Sequence, residues 1–207
     1  RMAETTARRG ALTVIPQDIP AEIVRDVIAW QKSRHLVYDT PITLTPGTTV
    51  GEALVLLHKR AHGAALVTDG DRPVGIVTET DLTGVDRFTQ LEDVMVRDMV
   101  SLPDGVDVES AFDTLSPARR RLAPVVTPDG RLVGILTRPG ALRAHLYSPA
   151  TDDTGRLRIA AAVGINGDVA AKAADLLDAG ADTLVIDTAH GHQEKMIEAL
   201  RAVRALD

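Results

Sequence analysis

The amino-acid sequence predicts an α/β fold: a tandem pair of β-α-β-β-α units inserted between two incomplete stretches of parallel α/β structure. The first observation is an internal repeat, because the stretch that begins at Ile42 recurs from Val100, about 58 positions later, with the same order of elements. The second is that both flanks combine short, continuously apolar runs with amphipathic helical patterns, as the strands and helices of a parallel sheet do.

Composition restricts the classes of function. The 207 residues carry a formal net charge of −6, so we expect no nucleic-acid partner. They include no cysteine, which excludes a disulfide framework, a thiolate zinc site and a cysteine nucleophile supplied by this chain. No run approaches the ~18 apolar residues of a membrane span, and the first residues lack the apolar core of a signal peptide. The expected location is therefore cytoplasmic, without membrane contact.

The N-terminal segment, residues 1–37, is predicted to form a short helix, a strand and a second helix. Gly10 is placed to end the first helix, and the apolar residues 12–15 follow as a strand. Pro20 is typical of a helix start. The helix that it opens has four apolar residues on one face: Ile23, Val24, Val27 and Ile28.

The first repeated unit, residues 38–93, begins with an extended stretch and a turn. A helix is predicted over 49–60, followed by a strand over 64–67, a hairpin turn at 69–71 and a second strand that ends at Thr78. The helix presents four apolar residues on one face: Val50, Ala53, Leu54 and Leu57.

The second unit, residues 94–150, repeats this order. Its helix begins near Asp107, and its second strand ends at Thr137. One such unit is too small to bury both faces of its sheet, so we expect the two units to pack together. The other predicted elements of this unit are a turn at 103–105, a strand over 123–126 and a hairpin turn at 129–130.

The C-terminal segment, residues 151–207, has the β-α-β-α order of a parallel α/β fold. Two continuously apolar runs, 159–163 and 183–186, predict strands buried on both faces. Asp168 is placed to cap the helix between them, and Gly180 to end it. A second amphipathic helix is predicted over 194–206, with Met196, Ile197, Leu200 and Val203 as its apolar residues.

The repeated units closely resemble the CBS-domain pair, or Bateman module. The residues that carry the resemblance are the two G-[IV]-[VL]-T blocks after a hairpin turn, with the T-x-x-D ending of the first block at Thr78 and Asp81. The resemblance implies a cleft between the repeats that binds an adenine or guanine nucleotide, such as ATP, ADP, AMP or GTP. The implied nucleotide-binding residues are Gly75, Ile76, Val77, Thr78, Asp81, Thr137 and Arg138.

The chemistry of the T-x-x-D ending leaves two interpretations open. A carboxylate can accept hydrogen bonds from both vicinal hydroxyls of a ribose, and a threonine at a strand end can donate to a phosphate. Asp81 also stands where a helix N-cap is expected, which is a purely structural role. The second repeat departs from the pattern, because it has Arg138, Pro139 and Gly140 after its threonine. We therefore expect one good nucleotide site and a second, altered one that uses Arg138 for phosphate contact.

The flanks resemble the IMP dehydrogenase and GMP reductase family, which places a CBS pair inside a TIM (β/α)8 barrel. The carrying residues are the run 161–164, the block 179–182 and the strand end D-T-A-H-G-H at 187–192. The resemblance covers essentially the whole chain. About 40 and 55 flanking residues are too few for a barrel that takes ~250. We therefore interpret 1–37 and 151–207 as parts of an incomplete barrel and the chain as a portion of a longer enzyme.

The resemblance implies that Asp187, at the carboxyl end of a barrel strand, contacts the ribose hydroxyls of NAD or NADP. The alternative is a carboxylate that binds backbone amides of the next helix. His190 and His192 lack a third ligand nearby, so no metal site is predicted.

The reaction that the resemblance implies is either oxidation of IMP to XMP with NAD, or reduction of GMP to IMP with NADPH and release of ammonia. The segment Pro16-Gln17-Asp18-Ile19-Pro20 replaces the family's H-[KR]-N-[ML] and resembles an actinobacterial branch with GMP reductase-like members. Both reactions use a cysteine in the family. We therefore assign no catalytic residue to this chain and expect it to be inactive on its own.

Three hypotheses follow for the repeat pair. It regulates a purine-nucleotide oxidoreductase through the linkers 33–40 and 147–155, or it is a nucleotide sensor without linked chemistry, or it is an oligomerisation element that binds nothing. The resemblance also implies self-association, as a CBS dimer, with a tetramer or octamer for the parent enzyme. The strands 12–15 and 183–186 lack partners in the sequence, so we expect them to be disordered or to pair between chains.

Overall fold

The computed structural model describes residues 1–58, 63–115 and 122–206. The chain forms two compact units, one from Arg1–Leu36 with Tyr147–Asp207 and the other from Val37–Leu146. Among the described residues, none of the helices combines the length and the apolar character that crossing a bilayer requires. The elements in chain order are α1 (Met2–Ala7), β1 (Val14–Ile15), α2 (Ala21–Lys32), β2 (Thr43–Leu44), α3 (Val50–Leu57), β3 (Ala64–Asp69), β4 (Arg72–Thr78), α4 (Glu79–Leu82), α5 (Leu91–Val94), β5 (Leu102–Pro103), α6 (Val108–Leu115), β6 (Leu122–Val126), β7 (Leu132–Thr137), α7 (Arg138–Leu146), β8 (Ala160–Gly164), α8 (Val169–Asp178), β9 (Thr183–Asp187) and α9 (Glu194–Arg204).

The first unit contains a parallel sheet in the order β1-β8-β9. Ala160 pairs with both Val14 and Thr183, and Gly164 pairs with Asp187. The strands of the two flanks are therefore ordered and pair within one chain, so the expectation of disorder or of pairing between chains was wrong. Because the strands are parallel, their carboxyl ends lie along the same edge of the sheet.

Helices α2 and α8 pack against this sheet through a common apolar core. Ile28 of α2 is fully buried and contacts the cluster formed by Ile159 and Ala161. Asp168 caps α8 by accepting from Ala171 N, and Gly180 follows its end with a positive φ of 96°, so both predicted helix boundaries are confirmed.

Two predictions about this unit were wrong in detail. Ile23 is 48% exposed, and the buried face of α2 is completed by Gln31, whose side-chain amide donates to Arg158 O. Strand β9 is not buried on both faces, because Leu184 and Ile186 contact the helix layer while Val185 points to the other side of the sheet and is 38% exposed. Alternate residues of a strand face opposite sides, so one covered face leaves every second residue exposed.

The second compact unit, Val37–Leu146, holds both repeats and contains two similar three-stranded sheets, β2-β3-β4 and β5-β6-β7. In each, the first pair of strands is parallel and the hairpin pair is antiparallel, with a register shift at Val67/Thr68 and at Val125/Val126. The hairpin strands end at Thr78 and Thr137, as the sequence predicts. The two sheets pack face to face through a shared cluster that includes Ala64, Leu66, Leu122 and Ile135.

Helix α3 begins where the sequence predicts, because Thr49 and Glu52 form a capping box. Its end is earlier than predicted, at Leu57, and positions 59–60 of the predicted helix lie outside the described residues. Asp107 caps α6 by accepting from Ser110 N at 2.9 Å, so its predicted start is also confirmed.

The two repeats exchange their opening segments. Asp39, at the start of the first repeat, pairs with Ile135 in β7, whereas Val96, at the start of the second repeat, pairs with Ile76 in β4. Each hairpin therefore pairs on its outer side with a residue from the other repeat. Because the two pairings are equivalent, Asp39 corresponds to Val96, as Ile135 corresponds to Ile76.

Candidate functional site

The two G-h-h-T blocks lie on β4 and β7, where their glycines allow a close approach of the exchanged segments. A Cβ on Gly75 would overlap the side chain of Met95, and a Cβ on Gly134 would lie 2.7 Å from Tyr38 Cβ. Met95 and Tyr38 immediately precede Val96 and Asp39, the residues that pair with the hairpins. The repeated glycine is thus explained by packing within the unit.

The residues between glycine and threonine in the first block are also held by packing. Val77 is fully buried in the core of the first repeat. The side chain of Ile76 contacts the cluster between the two sheets, and its backbone exchanges two 2.9 Å hydrogen bonds with Val96. The backbone N and O of Ile76 are therefore both bonded within the unit.

Thr78 and Asp81 form a capping box at the junction of β4 and α4. Asp81 Oδ2 accepts from both the backbone N and the hydroxyl of Thr78, each at 2.8 Å. Thr78 is the N-cap and Asp81 is the third helical residue, so placing Asp81 at the N-cap was wrong by three positions. Both side chains are only partly buried. The second carboxylate oxygen, Oδ1, is not used by these two bonds and is the atom that a ribose could engage.

The corresponding junction of β7 and α7 has a different structure. Thr137 is buried, and its hydroxyl accepts from Gly140 N at 2.9 Å. Arg138, predicted to contact phosphate, is exposed and lies with its guanidinium 4.9 Å from the centre of the Phe112 ring. This stacking is a cation–π contact. Thr78 and Asp81 are therefore hydrogen-bonded to each other in the first repeat, whereas the guanidinium of Arg138 in the second repeat stacks on Phe112 and is not hydrogen-bonded to Thr137.

Two residues at this second junction carry charges that the sequence analysis did not single out. Arg143 Nη1 of α7 lies 3.1 Å from Asp39 Oδ1, and both side chains are 9% exposed. Arg143 Nη2 also donates to Val37 O at 2.9 Å. No sequence signal indicated this pair, because the two residues are 104 positions apart and meet only through the exchange of opening segments.

Asp187 occupies the predicted place at the carboxyl end of β9, where its side chain is exposed. It pairs with Gly164 at the carboxyl end of β8. A Cβ on Gly164 would overlap the side-chain amide of Gln17, which follows β1. Residues that follow all three strands therefore lie along one edge of the sheet, the edge at which parallel α/β folds bind ligands.

The loop after Asp187 is held by local polar contacts. Gln193 donates to the Thr188 hydroxyl, and His190 N donates to the same oxygen at 3.4 Å. His190 and His192 are exposed. Across residues 1–58, 63–115 and 122–206, no three histidine, aspartate or glutamate side chains are grouped as metal ligands would be.

Residues 1–206 match the profile of the IMP dehydrogenase / GMP reductase domain. The chain belongs to this family. It is 54% identical over 207 residues to a GMP reductase of Mycobacterium tuberculosis, covering 100% of this chain and 43% of that protein. It is 33% identical over 206 residues to an inosine-5'-monophosphate dehydrogenase of Thermoplasma acidophilum, covering 98% of this chain and 42% of that protein.

Solved structures of the family resemble this chain as well. A GMP reductase of Trypanosoma brucei in complex with guanosine 5'-triphosphate aligns with a TM-score of 0.68 and 26% identity, over 99% of this chain and 51% of that one. A complex with guanosine 5'-monophosphate of a variant of that protein aligns with a TM-score of 0.66 and 27% identity, over 97% and 44%. The α/β class and the homology to purine-nucleotide oxidoreductases are thus confirmed, and the chain spans less than half the length of the curated relatives that it matches.

Proposed function

We propose that this chain is part of a GMP reductase, which converts GMP to IMP with NADPH and releases ammonia. The observation that carries the proposal is the 54% identity over the whole chain to mycobacterial GMP reductases, compared with 33% to the Thermoplasma inosine-5'-monophosphate dehydrogenase. The segment Pro16-Gln17-Asp18-Ile19-Pro20 supports the same branch. In this proposal the catalytic cysteine comes from outside these 207 residues, so the chain on its own turns over neither substrate.

In the same proposal, Asp187 binds the ribose of NADPH. An exposed carboxylate at the carboxyl end of a parallel strand fits that group, because its two oxygens can accept from two vicinal hydroxyls. The cofactor supplies a hydride, and the role of Asp187 is to position the ribose. Gln17 and Gly164 lie beside it and form the adjacent part of the strand-end surface.

We assign the second unit, Val37–Leu146, to a CBS-domain pair that binds a purine nucleotide and regulates the enzyme. Support comes from the duplicated sheets, their face-to-face packing and the partly buried Thr78–Asp81 pair. Asp81 would bind the ribose, and Thr78 the phosphate. The segments 33–40 and 147–155 connect this unit to the rest of the chain. A conformational change caused by nucleotide binding would reach the rest of the enzyme through them.

The reaction is tested on the full-length protein by following absorbance at 340 nm. Expected is consumption of NADPH with GMP, with stoichiometric ammonia, and no formation of NADH from IMP and NAD. Formation of NADH from IMP would overturn the assignment in favour of an IMP dehydrogenase. The 207-residue chain is expected to be inactive in both assays.

The cofactor assignment is tested with Asp187→Ala. Loss of a hydrogen bond to a charged group costs about 1.5–3 kcal/mol, so the KM for NADPH is expected to rise about 10- to 100-fold. Asp178→Ala, which removes an exposed carboxylate on α8, is the control and should leave KM unchanged. Equal effects of the two variants would contradict a specific role of Asp187.

Regulatory binding is tested by calorimetric titration of the full-length protein with ATP, ADP, AMP and GTP. The chain offers a matched control, because Glu52 closes the capping box of α3 as Asp81 closes that of α4. Asp81→Ala is expected to weaken binding about 10- to 100-fold and Glu52→Ala to leave it unchanged. Equal weakening by both would favour the purely structural role of Asp81, and no saturable binding would leave the pair as an oligomerisation element.

Self-association is the remaining part of the proposal. We expect the CBS-type units of two chains to form a dimer, within a tetramer or octamer of the full-length enzyme. Sedimentation of the full-length protein with and without nucleotide measures this directly, and a monomer under both conditions would contradict it.

A further inference from the structure

The exchanged pairing allows the two strand–helix junctions of the second unit to be compared position by position. Thr78 corresponds to Thr137, and Asp81 corresponds to Gly140, three residues later in each repeat. Gly84 corresponds in the same register to Arg143. Because β4 pairs with Val96 where β7 pairs with Asp39, these two residues also correspond. The first junction thus has Asp81, Gly84 and Val96 where the second has Gly140, Arg143 and Asp39.

At the second junction, the carboxylate of Asp39 lies beside Gly140, the residue that corresponds to Asp81. A Cβ on Gly140 would lie 2.9 Å from Thr137 Oγ1, 3.3 Å from Asp39 Oδ2 and 3.7 Å from Arg143 Nη2. The carboxylate of Asp39 therefore stands next to the position from which Asp81 acts in the first repeat, and it is 7% exposed as a residue.

The charge of that carboxylate is compensated within the chain. Arg143 Nη1 lies 3.1 Å from Oδ1 and 3.4 Å from Oδ2 of Asp39, and Arg143 Nη2 donates to Val37 O. A nucleotide phosphate that bound Arg143 would have to break this buried ion pair, which is strongly unfavourable. The ion pair is therefore a barrier to anion binding at this junction.

At the first junction the same positions are open. A Cβ on Gly84 would have no atom within 4 Å, and Gly84 has a φ of 81°. Val96, in the place of Asp39, carries no charge and is 37% exposed. Asp81 is held by Thr78 through one carboxylate oxygen and is partly exposed.

We propose that the Asp39–Arg143 ion pair occupies the ligand position of the second repeat, so that each chain binds one nucleotide, at the Thr78–Asp81 junction of the first repeat. This inference rests on the proposed nucleotide-binding function and adds the number and location of the sites. It assigns Arg138 to stacking on Phe112 instead of phosphate binding.

The test is calorimetric stoichiometry on the full-length protein, with ATP and GTP titrated separately. One molecule of the nucleotide that binds is expected per chain. Asp81→Ala should weaken this binding at least tenfold and leave no second class of sites, whereas Arg138→Ala should change affinity less than twofold. Asp81→Asn, which keeps an oxygen to accept from Thr78, is the second variant if Asp81→Ala lowers the melting temperature.

The possible results distinguish a failure of the single-site inference from a failure of the proposed nucleotide-binding function. Two molecules per chain, or binding that survives both Asp81 variants and is lost in Arg138→Ala, would overturn the single site while leaving nucleotide binding intact. No saturable binding of either nucleotide to the wild-type protein would overturn the proposed regulatory function and this inference together.

Discussion

Ile135 and Asp39 exchange two backbone hydrogen bonds, of 2.8 and 2.9 Å, although they belong to different repeats of the second unit. Ile76 and Val96 form the reciprocal pair, with both bonds at 2.9 Å. Each sheet therefore depends on a segment from the other repeat, and neither repeat can unfold alone without breaking pairs in both. We expect the unit Val37–Leu146 to unfold in one transition.

The glycines beneath the exchanged segments provide a direct test of this arrangement. In Gly134→Ala, the new Cβ would lie 2.7 Å from Tyr38 Cβ and 3.2 Å from Asp39 O, and neither atom can move without displacing the backbone. We expect a loss of about 1–3 kcal/mol in the free energy of unfolding, as for other overpacked cores, measured by urea denaturation. Gly47→Ala is the control, because its Cβ would have no atom within 4 Å. A Gly134→Ala variant as stable as the control would argue against the close packing of Tyr38.

Much of the fold could be predicted from local sequence because local contacts determine it. Thr49, Thr78 and Asp168 cap helices through side-chain bonds to residues three positions away, and such short-range patterns are visible in a sequence. The hairpins could be predicted for the same reason, because their turns contain Gly70 and Gly130 with positive φ.

The parts that could not be predicted depend on long-range pairing. Nothing near Asp39 indicates that it meets Ile135 and Arg143, since a one-dimensional pattern does not specify which segment completes which sheet. The burial of β9 was overestimated because an apolar run does not reveal how many of its faces are covered. Val185 and Leu184 are equally apolar in sequence, yet only Leu184 packs against the helix layer.

Arg143 is predicted to be essential for stability only while Asp39 is present. In Arg143→Met the carboxylate of Asp39 loses its ion pair in a buried place, and we expect a loss of about 3–5 kcal/mol. Adding Asp39→Leu removes the buried charge, and the double variant should recover most of that loss. Thermal unfolding of the four proteins of this cycle measures the coupling. A double variant no more stable than Arg143→Met would contradict the ion pair as the source of the effect.

Lys32 is predicted to hold the loop before β8 and the start of β9 to the end of α2. Its Nζ lies 2.8 Å from Asp152 Oδ2 and 2.5 Å from Asp182 Oδ1, and its side chain is 8% exposed. Lys32→Met leaves the mostly buried carboxylate of Asp182 without its cation and leaves Asp152 with the exposed guanidinium of Arg156, 3.1 Å away. We therefore expect a loss of about 3 kcal/mol in the free energy of unfolding. Lys195→Met removes an exposed lysine whose Nζ donates to Asn166 Oδ1 and is the control. Equal urea midpoints for the two variants would rule out the bridge as a stabilising contact.

The same cluster predicts a dependence of stability on pH. Lys32 donates to Asp152 and, with the backbone N of Arg156 and the hydroxyl of Thr154, holds the pKa of that carboxyl far below its usual range. A depressed pKa stabilises the folded state above the unfolded value of about 3.9, and this stabilisation falls as the pH drops from there towards the folded pKa. The difference in unfolding free energy between wild type and Asp152→Asn should therefore be constant from pH 8 to about pH 5. Below about pH 4 it should shrink by up to about 1.4 kcal/mol per pH unit. Asp153→Asn, at the exposed neighbouring position, is the control. Urea denaturation at each pH measures the difference in unfolding free energy between wild type and each variant. A difference for Asp152→Asn that stays constant down to pH 3 would contradict the depressed pKa.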